Sequence, residues 1–107
     1  MYLIQSIIRP EKILEVAEAL AAIGVYGMTK FSVVGRGKQS GLKVGDIMYK
    51  DMPKEIVQTI VDAEQKDAAV ATIMKVARTG EGNHGDGRVF VIPVAEAYTI
   101  RSGDRNY

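Results

Sequence analysis

The chain has 107 residues, a formal net charge of +1 and no cysteine, and 47% of its residues are hydrophobic. This length is typical of one domain, and the hydrophobic content excludes an intrinsically disordered chain. A near-neutral chain lacks the broad basic surface that nucleic acids select, and without cysteine there is no disulfide framework or thiolate metal site. No apolar run approaches the ~20 residues of a membrane-spanning helix, and the N-terminus lacks a secretory pattern. We therefore expect one cytoplasmic domain, residues 1–107, without membrane insertion.

The first part of the chain predicts a strand, a helix and a second strand. The segment "YLIQSII" (2–8) is apolar and β-branched, as in a buried strand, and Pro10 suits the first position of a helix. One apolar stripe follows at helical spacing: Ile13, Val16, Ala17 and Leu20. Gly24 is a natural helix stop, and "TKFSVVG" (29–35) has the alternation of a second strand.

The second part repeats this order after a long protruding loop, predicted over 36–54. The segment "EIVQTIV" (55–61) indicates a third strand, and Asp62 can cap a second helix that Gly80 ends. The apolar stripe predicted for this helix consists of Val70, Ile73, Met74 and Ala77. A glycine-rich segment leads to a fourth strand, "RVFVIPV" (88–94), and the C-terminal tail covers residues 95–107.

The element order predicts an α+β fold of the ferredoxin-like βαββαβ type, an antiparallel sheet with both helices on one face. Residues 3–8 and 89–94 are largely apolar at consecutive positions, whereas a sheet covered on one face alone should alternate. One chain has no element left to cover the second face. We therefore expect another subunit to cover it, and a trimer with its sheets facing inward fits this expectation.

Two glycine clusters are candidates for an anion site. "GRGKQSG" (35–41) matches neither the Walker nor the dinucleotide glycine pattern, but Gly35 and Gly37 allow close approach of backbone N–H groups. An exposed turn remains the alternative for this cluster alone. The second cluster, "TGEGNHGDGR" (79–88), also carries a basic residue, and two such loops make an anion site the better interpretation.

The remaining polar residues suggest binding and no catalytic turnover. Lys54 follows Pro53 and so has a more fixed position than the lysines of the loop, although a solvated lysine is the alternative. Asp86 lies between glycines, where capping of a turn is the commoner role. His84 has no partner nearby in sequence that suggests a catalytic triad, and the chain shows no nucleophile–base pair. Arg101 lies in the tail, where an ordinary surface role is the alternative.

Four segments together resemble the PII signal-transduction family over essentially the whole chain. They are "IIRPEKILEVAEAL", "GMTKFSVVGRGKQSG", "MPK" and "GDGRVFVIPVAEAYTIRSGD". The resemblance implies a ferredoxin-like homotrimer that binds ATP or ADP between subunits and senses 2-oxoglutarate together with Mg²⁺-ATP. It also implies that the long loop between strands two and three contacts a target protein.

The resemblance assigns the site residue by residue. The nucleotide contacts would come from two glycine motifs, from a "GMT" motif of the neighbouring subunit and from single residues. In this sequence they are Ile7, Gly27, Met28, Thr29, Gly35, Gly37, Lys38, Gln39, Gly85, Asp86, Gly87, Arg88 and Arg101. Gln39 would complete the Mg²⁺ coordination and contact 2-oxoglutarate, and Lys54 would pair with a carboxylate of that ligand. The phosphate loop would cover 80–88.

Departures from the family pattern narrow the prediction. The protruding loop is short and Tyr49 lacks the usual modification motif, the phosphate loop is longer through "EGNH", and Gln58 replaces a glutamate. Together with "VVGRGKQ" this resembles the nitrogenase-linked NifI branch, whose members work as a pair of related chains. The resemblance implies a regulator that represses nitrogenase by direct contact, as a homotrimer or a hetero-oligomer. The alternatives are a general PII regulator of an ammonium channel or glutamine synthetase, and a small ATP-using enzyme.

Overall fold

A computed structural model describes residues 1–38 and 49–107 of the chain. In chain order its elements are β1 (Tyr2–Ile8), α1 (Ile13–Ala22), β2 (Thr29–Lys38), β3 (Tyr49–Val61), α2 (Ala63–Ala77) and β4 (Arg88–Pro93). A 3₁₀ turn at Pro10–Lys12 precedes α1. The described strands form one antiparallel sheet in the order β2-β3-β1-β4. This is the ferredoxin-like α+β fold that the sequence predicts.

The hydrophobic core lies between one face of the sheet and the two helices. Alternate residues of β1 are buried, as expected for a strand with one face against helices. The helices contribute Val16, Leu20, Ala69, Ile73 and Ala77. The stripe predicted for α1 is confirmed, but the prediction for α2 is wrong at Met74, which is 48% exposed. The buried residues of α2 are instead Ala69, Ile73 and Ala77. They are spaced by four residues and therefore lie on one face of the helix, the face that packs against the sheet.

The helix ends follow the capping residues of the sequence. Gly24 adopts a positive φ of 86° directly after α1, and Asp62 caps α2 by accepting a bond from the Gln65 N–H at 3.2 Å. The prediction that α2 continues to Gly80 is wrong, because the chain is already extended at Arg78. Neither described helix is both long and apolar enough to cross a membrane.

Strands β2 and β3 are longer than the sequence indicates. Beyond the pairing of Ile8 with Glu55, β1 no longer accompanies β3, and residues 33–38 pair with 49–54 as a two-stranded ribbon. We call this part the ribbon. Pro53 pairs with Val34 on one edge of β3, whereas the pairing of β3 with β1 has already ended at Glu55, and strands with a free edge are where proline is found. Gly35 and Gly37 therefore lie in a strand, and neither has a positive φ.

The second face of the sheet is apolar and uncovered in one chain. Cross-strand partners on this face include Leu3 with Ile60 and with Ile92, and Gln5 with Phe90. Ile60 is 51% exposed, Phe90 is 40% exposed and Ile92 is 41% exposed. We call this surface the open face. Its exposure in a single chain agrees with the expectation that another subunit covers it, and that expectation remains a prediction.

Candidate functional site

The segment between α2 and β4, residues 78–87, folds against the end of β1; we call it the glycine loop. At Gly87 the loop approaches β1 so closely that a Cβ atom would lie 1.7 Å from the carbonyl oxygen of Ile7. The residue also has a positive φ of 107°. Both features demand glycine, so the sequence at this point is dictated by the packing of the loop on β1.

The Asp86 carboxylate organises the glycine loop from within. It accepts bonds from the Thr79 hydroxyl at 2.6 Å, from the N–H groups of Thr79 and Asn83 at 3.2 and 2.8 Å, and from Arg9 Nε at 3.2 Å. Burial by itself raises the pKa of this carboxyl, but the bonds from Thr79, Asn83 and Arg9 outweigh burial and hold the pKa well below its usual value. The side chain is thus an ionised anchor that joins both ends of the loop. Its predicted contact with a nucleotide stays a prediction.

Arg9 is the main residue that sequence reasoning missed. It follows β1 directly, and its Nη2 atom donates to the His84 carbonyl at 3.0 Å while Nε donates to Asp86. The partners are 75 and 77 positions away along the chain, so no local pattern links them. Its position in the sequence could have pointed to it, because a charged residue between a buried strand and Pro10 has little conformational freedom.

Lys54 joins the ribbon to the glycine loop. Its side chain is buried, and Nζ donates to the carbonyl oxygen of Gly85. Its Cγ atom lies 3.3 Å from where a Cβ atom of Gly35 would stand, so the side chain passes close to the backbone of Gly35 on the neighbouring strand β2. Strands β3 and β4 lie on opposite sides of β1 in the sheet, so this contact joins the ribbon to the loop that leads into β4.

The electrostatic environment of Lys54 is unusual for a lysine. Burial lowers its pKa, the neighbouring Arg9 lowers it further, and the carboxylates of Glu11 and Asp86 offset these effects only in part. Among the residues that the structure describes, no carboxylate lies within ion-pair distance of its Nζ atom. An incoming anion would stabilise this buried charge, because no described carboxylate of the protein pairs with it.

The structure places the predicted site residues in two groups. Ile7, Gly35, Lys54 and the loop glycines converge at one end of β1. Gly27, Met28 and Thr29 instead line a cavity of about 340 Å³ together with Gln58 and Ile60. Thr29 and Gly35 are six residues apart on β2, which corresponds to ~20 Å along a strand. One chain therefore does not bring the two groups together.

Three further predicted site residues lie outside these two groups. Gln39 lies outside the described residues, and for Lys38 only the backbone, paired with Tyr49, is described. Arg101 is exposed in the C-terminal tail, which folds back on itself through the pairing of Tyr98 with Arg105. The predicted contact of Arg101 with a nucleotide remains a prediction.

Comparison with known proteins identifies the family. The family model described as "Nitrogen regulatory protein P-II" matches residues 1–104. The chain belongs to the P-II family. Our prediction of the family from four segments of the sequence is thereby confirmed, and the match includes both the ribbon and the glycine loop.

The P-II relatives also support the predicted branch. The chain is 48% identical over 103 residues to "Nitrogen fixation nifHD1 region GlnB-like protein 1" of Methanosarcina barkeri, covering 96% of both chains. It is 44% identical to "Nitrogen fixation nifHD region GlnB-like protein 1" of Methanothermococcus thermolithotrophicus, covering 97% of both. It is also 42% identical to "Nitrogen regulatory protein P-II 2" of Methanothermobacter thermautotrophicus, covering 94% of this chain and 90% of that one. The family and these names support a nitrogen regulatory role for the P-II chain.

Proposed function

We propose that this P-II protein binds ATP or ADP and 2-oxoglutarate at subunit interfaces and controls nitrogenase by direct contact, without catalytic turnover. The observation that carries the proposal is the position of Lys54, a buried cation that links the ribbon to Gly85 of the glycine loop. A ligand that engages this side chain acts on both parts at once.

The glycine loop supplies the chemistry for the nucleotide phosphates. Glycines allow an anion to approach the backbone closely, Gly87 is exposed, and Arg88 adds a positive charge at the start of β4. The carboxylate of Asp86 is already engaged by four protein donors, which limits its repulsion of a phosphate. Mg²⁺ would accompany ATP, with Gln39 as its proposed protein ligand.

The other part of the nucleotide site is proposed to come from a neighbouring subunit. The group Gly27, Met28 and Thr29 lies ~20 Å from the ribbon glycines along β2. Both groups of one chain are therefore too far apart to contact the same nucleotide, and a second chain is needed to complete the site. The open face gives the reason for association, because its exposed apolar side chains gain from burial. The proposed assembly is a homotrimer or a hetero-oligomer with a related P-II chain, with Arg101 contributing from the tail.

Lys54 is the proposed partner of 2-oxoglutarate. A carboxylate offers this ammonium group a charged acceptor in place of the neutral Gly85 carbonyl, and charge-assisted hydrogen bonds are the stronger kind. Since Lys54 lies at the base of the ribbon, the ligand would alter the position of the segment that is proposed to contact nitrogenase. The relatives named for nitrogen fixation nifHD regions support this choice of target.

Isothermal calorimetry with purified protein tests the proposal. We expect 2-oxoglutarate to bind only when Mg²⁺-ATP is present, and we expect Lys54→Ala to abolish this binding. Lys30→Ala is the matched control, because Lys30 is an exposed lysine of β2. Binding of 2-oxoglutarate to the nucleotide-free protein with equal affinity would contradict the proposed mechanism.

A second candidate is a general P-II regulator of an ammonium channel or glutamine synthetase. The 42% identity to the relative named "Nitrogen regulatory protein P-II 2" is the observation in its favour. Affinity capture from cells grown under nitrogen-fixing conditions separates the two candidates. Recovery of nitrogenase supports the first, and recovery of the channel or the synthetase supports the second.

A further inference from the structure

We propose that Arg9 is a positioning residue that holds the glycine loop in place when an acidic ligand draws Lys54 away. Arg9 would thereby determine whether the acidic ligand strengthens or weakens nucleotide binding. The inference rests on the proposed function, since it assumes that phosphates bind at the loop and a dicarboxylate at Lys54.

Two cations hold three consecutive residues of the glycine loop. Arg9 donates to the His84 carbonyl at 3.0 Å and to the Asp86 carboxylate at 3.2 Å, and Lys54 donates to the carbonyl of Gly85 between them. One cation comes from the end of β1 and the other from β3. The Cβ position of Gly85 lies 3.2 Å from Arg9 Nη2 and 3.5 Å from Lys54 Nζ, so both charged ends converge on this one glycine.

The two cations differ in how easily a ligand can displace them. Arg9 uses two donors of its planar guanidinium, and its partner Asp86 is fixed to the end of α2 through Thr79. Among the described residues, the acceptor of Lys54 is the neutral Gly85 carbonyl, and the adjacent Arg9 repels the Lys54 charge. An acidic ligand that gives Lys54 a carboxylate therefore removes the Lys54–Gly85 bond more readily than either bond of Arg9.

This difference keeps the phosphate-binding backbone in place when the acidic ligand binds. With Arg9 present, His84 and Asp86 remain attached on both sides of the released Gly85 carbonyl. Without Arg9, loss of the Lys54 bond removes both cationic contacts with residues 84–86, so the backbone N–H groups of this segment are held less firmly in direction. The acidic ligand would then weaken nucleotide binding, and by linkage the nucleotide would weaken binding of the acidic ligand equally.

The test is a thermodynamic cycle measured by calorimetry on the full-length assembled protein. The dissociation constant of Mg²⁺-ATP is measured with and without 2-oxoglutarate for the wild type, Arg9→Gln and Arg9→Lys. We expect 2-oxoglutarate to tighten ATP binding in the wild type, and we expect Arg9→Gln to reduce this coupling factor by about fivefold or more, to unity or below. Arg9→Lys keeps the charge but has one donor group where Arg9 uses two, so it should restore the coupling only in part.

Lys12→Gln is the control, because Lys12 also lies at the start of the first helical region but pairs with Glu15 and not with the loop. Coupling in Arg9→Gln equal to that of the wild type overturns this inference alone, whereas a wild-type protein that binds neither ligand overturns the proposed function and the inference with it.

If Arg9→Gln does not fold, the same cycle is measured with Arg9→Lys and Thr79→Val. Thr79→Val removes a hydroxyl that fixes Asp86, and unchanged coupling in both variants overturns the inference.

Discussion

At the scale of single residues, the site depends on which charges the protein has already compensated. Asp86 accepts from Thr79, Asn83 and Arg9 and acts as an internal anchor. Lys54 is buried and, in the part of the chain that the structure describes, donates to a neutral carbonyl, so a ligand can still compensate its charge. The two side chains are thus suited to different roles, Asp86 to shaping the loop and Lys54 to binding an anion.

The depressed pKa of Asp86 predicts a loss of stability in acid. A carboxyl with a lower pKa in the folded state stabilises the fold fully above its ordinary value of 3.8, and this stabilisation is lost progressively as the pH falls below that value. Urea unfolding of the wild type and of Asp86→Asn at several pH values measures the effect. We expect the unfolding free energy of the variant to fall less steeply on acidification, and an identical acid dependence would show that Asp86 does not contribute.

At the scale of elements, the glycine loop and the ribbon are joined to the sheet by different kinds of contact. The loop is fixed by the close approach of Gly87 to Ile7 and by the bonds of Asp86. The ribbon is an antiparallel ladder with a cross-strand pair of Arg36 and Asp51 at 2.7 Å, both side chains being more than half exposed. An exposed pair of this kind contributes little energy, so the ladder itself carries the stability of the ribbon.

The packing of the loop on β1 predicts a strong effect of Gly87→Ala. The methyl group would overlap the Ile7 carbonyl oxygen, and the backbone of an alanine would also be strained at a φ of 107°. We expect the free energy of unfolding in urea to fall by about 3 kcal/mol. Gly37→Ala is the control, because its Cβ position is open and its φ is not positive; there we expect a change within about 0.5 kcal/mol. Equal effects of the two substitutions would contradict the packing argument.

The comparison between sequence and structure separates local from long-range information. The limits of β1, the cap at Asp62 and the stop at Gly24 were predictable because each depends on a few neighbouring residues. The length of the ribbon was not, because Pro53 argues against a strand unless the free edge of β3 is known. Arg9 escaped prediction for a related reason, since its partners come from the far end of the chain.

At the scale of the whole molecule, a single chain of this P-II protein leaves two features incomplete. The open face exposes large apolar side chains such as Ile60 and Phe90, and the predicted nucleotide contacts fall into two separate groups. Association of several chains through the open face would resolve both, because it buries the apolar surface and can bring Gly27–Thr29 of one chain to the glycine loop of another. The oligomeric state itself is a prediction.

A charge on the open face should therefore dissociate the assembly. We expect Ile60→Glu to shift the protein from an oligomer to a monomer in sedimentation experiments, because burial of a carboxylate in an apolar interface is costly. Leu14→Glu is the matched control, since Leu14 is 69% exposed on α1, away from the sheet, and its substitution should leave the assembly intact. Circular dichroism confirms that both variants are folded, and an oligomer that persists in Ile60→Glu would rule out the open face as the interface.

In the proposed mechanism, the nucleotide and the acidic effector meet at the contact between Lys54 and Gly85. The most direct test is an amide NMR titration of nitrogen-labelled protein, following the signals of Gly85, Gly87 and Lys54. We predict that Mg²⁺-ATP shifts the two glycine signals, and that 2-oxoglutarate then shifts Gly85 and Lys54 further but has no effect on the nucleotide-free protein. Binding of both ligands with these three signals unchanged would contradict the account.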